Sequence, residues 1–156
     1  NVYASHLLLS PPDSVSLGAL EVPAVHAFGV RGEGQVVGLG DTGIDTRSCA
    51  FADPTEAVPF NSISATHRKI AAYYTAHGDR GEGPDGHGTH IAGSIAGEAL
   101  SADHHSHSVA PAARLAFVDL EDSRRPRAYN IPDSTIGSSY FDLMLKTGAF
   151  VACSPW

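Results

Sequence analysis

Cysteine and charge are both scarce in this sequence, and each scarcity excludes a class of protein. Its 156 residues contain two cysteines, too few for a disulfide-stapled miniprotein or a four-cysteine zinc module. One bridge between Cys49 and Cys153 stays open, because sequence does not fix the distance between their Cα atoms. Only 17% of the residues are charged, and acidic residues outnumber basic ones by 17 to 10. The net charge of -7 therefore gives no electrostatic reason to expect a nucleic-acid or anionic-membrane partner.

Long apolar runs are also missing. No stretch approaches the roughly 20 consecutive apolar residues that span a bilayer, so no membrane span is predicted. The N-terminal segment lacks the basic start and long apolar run of a secretory signal. The 42% hydrophobic content suits one globular domain with a sizeable core. Because the chain starts at Asn1 and stops at Trp156 directly after an apolar run, we expect a fragment of a longer protein.

Short apolar segments alternate with helical patterns along the chain. This rhythm predicts an α/β fold, a mainly parallel sheet flanked by helices and apparently truncated. Residues 1–18 are expected to form an irregular N-terminal arm, and residues 19–156 the domain itself. The predicted strands are 35–40, 68–74, 114–120 and 149–153, and the predicted helices are 22–28, 87–100 and one that begins at Asp133 or Ser134 and stops at Gly148.

Two side chains with catalytic chemistry stand where strands and helices of such a sheet meet. Asp41 follows the first predicted strand, and His87 begins a predicted helix after a glycine-rich loop. Loops at the carboxyl ends of parallel strands converge on one crevice, which would bring the two together. A histidine that acts as general base on a hydroxyl needs a carboxylate to hold its other nitrogen. Asp41 and His87 are therefore the candidate catalytic residues.

The residues around both positions resemble one enzyme family. Val36–Asp45, VVGLGDTGID, is similar to the aspartate motif of the subtilisin-like serine peptidases, and Asp85–Gly93, DGHGTHIAG, is similar to their highly specific histidine motif. The aspartate precedes the histidine, which is the order that subtilisin uses. The resemblance extends over about residues 20–156.

The resemblance implies a serine endopeptidase with a subtilisin-like fold, in which Asp41 orients His87 and His87 activates a serine. The implied partner is a polypeptide substrate, and a secreted or vesicular location is favoured. No cofactor or metal ligand is assigned. Calcium is common in loops of the family, but no acidic loop here matches the spacing of a calcium site.

The sequence contains neither the family's Gly-Thr-Ser-Met-Ala-type motif nor its oxyanion-hole asparagine motif. Ser154, followed by Pro155, does not resemble the nucleophile and is not assigned. We therefore expect the N-terminal portion of a catalytic domain, inactive alone and completed by the missing C-terminal half. The alternative is a catalytically dead pseudopeptidase that binds peptides or proteins; the intact motifs of Asp41 and His87 count against it.

Other readings of these motifs are weaker. Asp-Thr-Gly is also the signature of aspartic peptidases, but Ile44 follows it here and no second copy exists. His90 resembles the family's second, structural histidine, and a zinc site is disfavoured because the spacing is not that of zincins. Asp85 is expected to cap the N-terminus of the histidine helix or to place a favourable negative charge there. Two loops are expected to be solvated. One carries His104, His105 and His107, with metal binding as its alternative. The other carries Arg124, Arg125 and Arg127, with proteolytic processing as its alternative.

Overall fold

A computed structural model of the chain describes residues 21–75, 79–100, 108–121 and 140–155. These residues form the following elements in chain order: α1 (Val22–Ala27), β1 (Val36–Asp41), β2 (Ile70–Thr75), α2 (His87–Ala96), β3 (Arg114–Asp119), α3 (Asp142–Lys146) and β4 (Val151–Cys153). The predicted arm at 1–18, the histidine loop, the arginine loop and the predicted helix start at 133–134 lie outside the described residues.

The four strands form one sheet in the order β2-β3-β1-β4, and every neighbouring pair is parallel. The predicted α/β class with a parallel sheet is confirmed. The ends of β1 and β3 are level, because Asp41 pairs in register with Asp119. Both aspartates therefore lie at the carboxyl edge of the sheet, where parallel folds place their functional groups.

Helices cover the two faces of this sheet with different side chains. On one face, Ala92 and Ala96 of α2 are fully buried against a large core cluster that includes Leu39, Ile44, Phe51, Tyr73, Leu115 and Phe117. Their small side chains let α2 approach the sheet closely. On the other face, Met144 of α3 packs in a second cluster with Ala116, Val118, Leu120 and Tyr140. A Cβ at Gly38 of β1 would collide with the Met144 side chain, so glycine there makes room for α3.

The element ends differ from the sequence predictions in identifiable ways. The prediction that the histidine helix reaches residue 100 was wrong: α2 ends at Ala96, because Gly97 turns to an extended conformation with φ -62° and ψ 134°. The predicted stop at Gly148 is confirmed; this residue has φ 92°, and α3 ends two residues earlier at Lys146. β2 begins at Ile70 rather than at residue 68, since the backbone N–H groups of Arg68 and Lys69 bind the side chains of Asp53 and His67 instead of a neighbouring strand.

Cys49 and Cys153 are both free. Within the described ranges, none of the helices combines the length and apolarity needed to cross a membrane. β4 lies at one edge of the sheet, and Phe150 and Val151 there are 91% and 64% exposed.

Candidate active site

The structure brings the two predicted site residues together. Asp41 is the last residue of β1 and His87 is the first residue of α2, and their Oδ1 and Nδ1 atoms are 2.8 Å apart. The Asp41 side chain is 1% exposed, whereas the His87 side chain is 40% exposed. A carboxylate only accepts hydrogen bonds, so this contact assigns the proton to Nδ1. A buried carboxylate therefore lies in hydrogen-bond contact with a partly exposed imidazole.

The Asp41 carboxylate is bound asymmetrically. Besides the His87 ring, its Oδ1 accepts the backbone N–H of Thr42 at 2.7 Å. Its Oδ2 is buried and accepts no hydrogen bond from the residues that the structure describes. Both donors therefore meet one oxygen, which fixes the plane of the carboxylate toward α2.

Two threonines connect the aspartate loop to the histidine helix in both directions. Thr42 Oγ1 accepts the backbone N–H of Gly88 at 3.1 Å, and Thr89 Oγ1 accepts the backbone N–H of Asp45 at 2.8 Å. Both threonines are almost completely buried. Each motif thus provides a hydrogen-bond acceptor for a backbone N–H of the other motif. The two bonds together fix the position of the first turn of α2 relative to the end of β1.

Glycines allow these two segments to touch backbone to backbone. A Cβ at Gly88 would collide with the carbonyl oxygen of Gly43. Gly43 has φ 96°, and a Cβ there would collide with the carbonyl oxygen of Gly81. A side chain at Gly88 would push the aspartate loop and α2 apart and separate the two candidate catalytic residues, and a side chain at Gly43 would push the loop away from the segment that leads into α2.

The start of α2 has its own local support. Asp85 Oδ1 accepts the backbone N–H of His87 at 3.2 Å, but the N-cap residue is Gly86, so Asp85 supports the helix start from the position before the cap. Gly86 precedes the helix with φ 71°. One of the unpaired N–H groups of the first helical turn is therefore satisfied at the catalytic histidine candidate itself.

Two site residues were not found from the sequence. The Tyr73 hydroxyl donates to Asp119 Oδ2 at 2.8 Å and accepts the backbone N–H of Ile44 at 3.2 Å. Burial raises the pKa of Asp119 to about 7, and burial also raises the pKa of Tyr73. The one available signal was that Asp119 lies next to the end of a predicted strand, as Asp41 does.

Neither Ser154 nor a metal site adds to this chemistry in the described part of the chain. The Ser154 hydroxyl is hydrogen-bonded to the Tyr140 hydroxyl at 2.8 Å. Among residues 21–75, 79–100, 108–121 and 140–155, no three or more His, Cys, Asp or Glu side chains gather where they could hold a metal ion. His90 follows His87 on the same helix and is partly buried.

A cavity of about 290 Å³ opens beside the aspartate loop and is bordered by Asp45, Arg47, Arg80 and Glu82. Arg47 pairs with Asp45 at 3.5 Å, and the Arg80 guanidinium lies 4.7 Å from the centre of the Phe60 ring. Two positive and two negative side chains border the cavity, so their formal charges cancel.

Known proteins match this chain in sequence. The serine protease/ABC transporter B family protein tagA of Dictyostelium discoideum is 40% identical over 111 residues, which are 69% of this chain and 6% of that protein. The subtilisin-like protease PopC of Myxococcus xanthus is 34% identical over 106 residues, which are 68% of this chain and 20% of that protein. The chain therefore spans a small part of the length of the curated relatives that it matches.

The model of the subtilase family, Peptidase_S8, matches residues 32–156. This match covers most of the chain and includes both the aspartate and the histidine motif. The chain therefore belongs to the subtilase family of serine peptidases.

Proposed function

We propose that this chain supplies the aspartate and the histidine of a serine-type endopeptidase, with Asp41 as the orienting carboxylate and His87 as the general base. The observation that carries the proposal is the 2.8 Å contact between Asp41 Oδ1 and His87 Nδ1 at the carboxyl edge of the sheet. Membership of the subtilase family supports it.

The proposed chemistry follows from the position of the imidazole proton. With Nδ1 donating to Asp41, Nε2 of His87 carries the lone pair that accepts a proton from a serine hydroxyl. The serine oxygen then attacks the carbonyl of a peptide bond, and the imidazolium returns its proton to the leaving amine. Asp41 stabilises the imidazolium during this exchange. These steps need no metal or organic cofactor.

The nucleophile and the oxyanion donors must come from residues outside this sequence, because it contains no Gly-Thr-Ser-Met-Ala-type motif. We therefore expect no peptide hydrolysis by the 156 residues alone, since no group in the site becomes acylated. A polypeptide that carries this chain together with the serine segment is expected to be the active endopeptidase.

The test uses the native polypeptide that contains this chain, identified by sequencing its full-length message and weighing the intact protein. Hydrolysis of a mixed peptide library is measured for the parent, for Asp41→Asn and for His87→Ala. We expect Asp41→Asn to lose about 10⁴-fold in kcat and His87→Ala about 10⁶-fold, the sizes of loss found when a triad aspartate and a triad histidine are removed. Asp142→Asn on α3 and His26→Ala on α1 make the same kinds of change away from the site and serve as matched controls.

Two results would overturn the proposal. One is hydrolysis that survives both site substitutions within tenfold, which would place the catalytic base elsewhere. The other is a native polypeptide that lacks any serine segment and binds library peptides without cutting them, which would establish the peptide-binding pseudopeptidase instead.

A further inference from the structure

We propose that Tyr73 and Asp119 are positioning residues that hold the Asp41–His87 pair in register through the loop 42–45, an inference that rests on the function proposed above. Neither side chain is in a hydrogen bond with His87 or Asp41 in the described structure. Their effect is transmitted through the backbone of the loop that follows Asp41.

Tyr73 is the fixed end of this connection. Its side chain is completely buried, and its ring lies 5.0 Å from the rings of both Phe60 and Phe117, measured between centroids. The ring therefore has little freedom to move its hydroxyl. That hydroxyl accepts the backbone N–H of Ile44 and donates to Asp119 Oδ2 at 2.8 Å, with the Gly81 carbonyl a longer second acceptor at 3.5 Å.

Ile44 lies between the two loop residues that hold α2. Thr42 accepts the N–H of Gly88, and the N–H of Asp45 is accepted by Thr89. A displacement of Ile44 would strain both bonds at once, because it is one residue from Asp45 and two from Thr42. The hydroxyl of Tyr73 thus acts on the centre of the segment that positions the first turn of the histidine helix.

Asp119 supports the same loop from the neighbouring strand. It pairs in register with Asp41, and its Oδ1 accepts the N–H of Glu121 at 3.1 Å. A Cβ placed on Gly43 would lie 3.1 Å from Asp119 Oδ2, so the loop backbone packs directly on this carboxyl group. Asp119 therefore links the ends of β1 and β3 with the Tyr73 hydroxyl of β2.

The chain offers a matched control for the tyrosine. Tyr74 follows Tyr73 on β2, and its hydroxyl bonds to Thr147 Oγ1 at 3.0 Å on the opposite face of the sheet. Tyr73→Phe and Tyr74→Phe each delete one buried or half-buried hydroxyl from the same strand. The first removes the bonds to Ile44 and Asp119, and the second removes the bond to Thr147, so only the first acts on the loop after Asp41.

The first readout needs no activity. Proton and nitrogen NMR of the labelled full chain at about pH 8 follows the His87 Nδ1–H, assigned by its loss in His87→Ala. We expect Tyr73→Phe to shift this signal and to speed the exchange of its proton by about tenfold or more. Tyr74→Phe should leave both unchanged, even where its thermal midpoint falls by a similar amount.

The second readout is kinetic and uses the native polypeptide. Tyr73→Phe should lower kcat by about tenfold with KM within twofold, because misplacement of the base affects the chemical step. Asp119→Asn keeps the side-chain volume and an oxygen acceptor, and should give a smaller loss of the same kind. If Tyr73→Phe does not fold, Asp119→Asn alone tests the proposed positioning role.

The inference is overturned if Tyr73→Phe and Asp119→Asn leave the Nδ1–H signal and its exchange unchanged, or if Tyr74→Phe perturbs them equally. That outcome is separate from failure of the proposed function. If the native polypeptide cuts no peptide, the NMR comparison still shows whether Tyr73 and Asp119 position the pair.

Discussion

We expect the start of β2 to open in mild acid, because His67 becomes protonated there. Its side chain is 1% exposed, and its Nδ1 accepts two backbone N–H groups, from Lys69 at 3.2 Å and from Ile70 at 3.0 Å. A protonated imidazole carries a hydrogen on Nδ1 and cannot accept either bond. The folded segment therefore requires neutral His67.

The surrounding charges act in both directions. Burial lowers the pKa of His67 from its ordinary value of 6.5, and Arg68 and Arg114 lower it further, whereas Asp53 and Glu56 raise it. Asp53 Oδ2 is 4.0 Å from the ring nitrogen. Burial has the largest influence, and the net shift of the pKa is downward.

The sign and size of the effect follow from proton linkage. Below pH 6.5 the opened state binds a proton that the closed state excludes, so the closed state loses stability as pH falls. The loss is about 1.4 kcal/mol per pH unit for one proton, until the pH reaches the lowered pKa of the folded state. Between pH 6.5 and about pH 5 it reaches at most about 2 kcal/mol, or about 30-fold in the opening equilibrium.

Hydrogen exchange of the full chain, followed by mass spectrometry on peptides covering residues 67–75, measures this opening after correction for intrinsic rates. His67→Asn is the diagnostic variant, because an amide oxygen can replace the Nδ1 acceptor without titrating, and its protection should not fall in acid. His26→Asn is the control: His26 Nε2 bonds to the Val109 carbonyl at 2.9 Å, and an imidazole can donate there in either charge state. Parallel protection curves for the parent and His67→Asn from pH 7 to pH 5 would refute the reasoning.

Three other substitutions test the packing described above. Gly88→Ala should destabilise the chain by about 3 kcal/mol or more, because its Cβ collides with the Gly43 carbonyl; an unchanged midpoint in urea would contradict this. Thr89→Val should cost about 1 to 3 kcal/mol in the same assay, since the Asp45 N–H loses its acceptor, and Thr89→Ser should restore most of it. Burial lowers the pKa of Lys69 from 10.5 to about 8, so stability should rise by up to about 3 kcal/mol as pH rises through that range. Lys69→Met should abolish the rise in urea titrations at each pH, and a persisting rise would assign it to another group.

The central strands and the positions of Asp41 and His87 at the element ends were accessible from sequence because their signals are local. The strand predicted at 35–40 is observed at Val36–Asp41, and the one predicted at 114–120 is observed at Arg114–Asp119. Both are short apolar runs that end at a carboxylate, so their period and their limits can be seen within a few residues. His87 begins its helix where predicted because the glycines before it cannot continue a regular element.

The contacts before β2 were not accessible, because they depend on residues distant in the sequence. The Arg68 guanidinium donates to three backbone carbonyls, those of Ala52, Cys49 and Glu98. Asp53 accepts the backbone N–H of Arg68 at 2.7 Å, and such donors lower the pKa of its carboxyl group. Charged residues at a strand start normally indicate solvent exposure, and nothing local reveals that a folded loop surrounds them with acceptors.

The burial of the Lys69 side chain before β2 also depends on residues distant in the sequence and could not be predicted. The side chain is 1% exposed, and its ammonium donates to the carbonyls of Pro111 and Ala113 at 2.5 and 2.7 Å. These carbonyls belong to the segment that leads into β3, so the lysine joins the starts of β2 and β3. A buried ammonium is tolerated only with such acceptors in place, which explains why this cation lies inside the protein.

The separation of Asp41 and His87 is determined more by the backbone around them than by the bond between them. A hydrogen bond to a charged group contributes about 1.5 to 3 kcal/mol, less than the entropy cost of ordering the several residues that flank each side chain. The rest of this entropy cost is offset by the hydrogen bonds that Thr42 and Thr89 accept across the two segments and by the close packing of Gly88 on the loop. Substitutions at Thr42, Thr89 or Gly88 should therefore disturb the contact between Asp41 and His87 as strongly as changes to the polar atoms of that contact, although none of these three residues can act as the proton-transferring base.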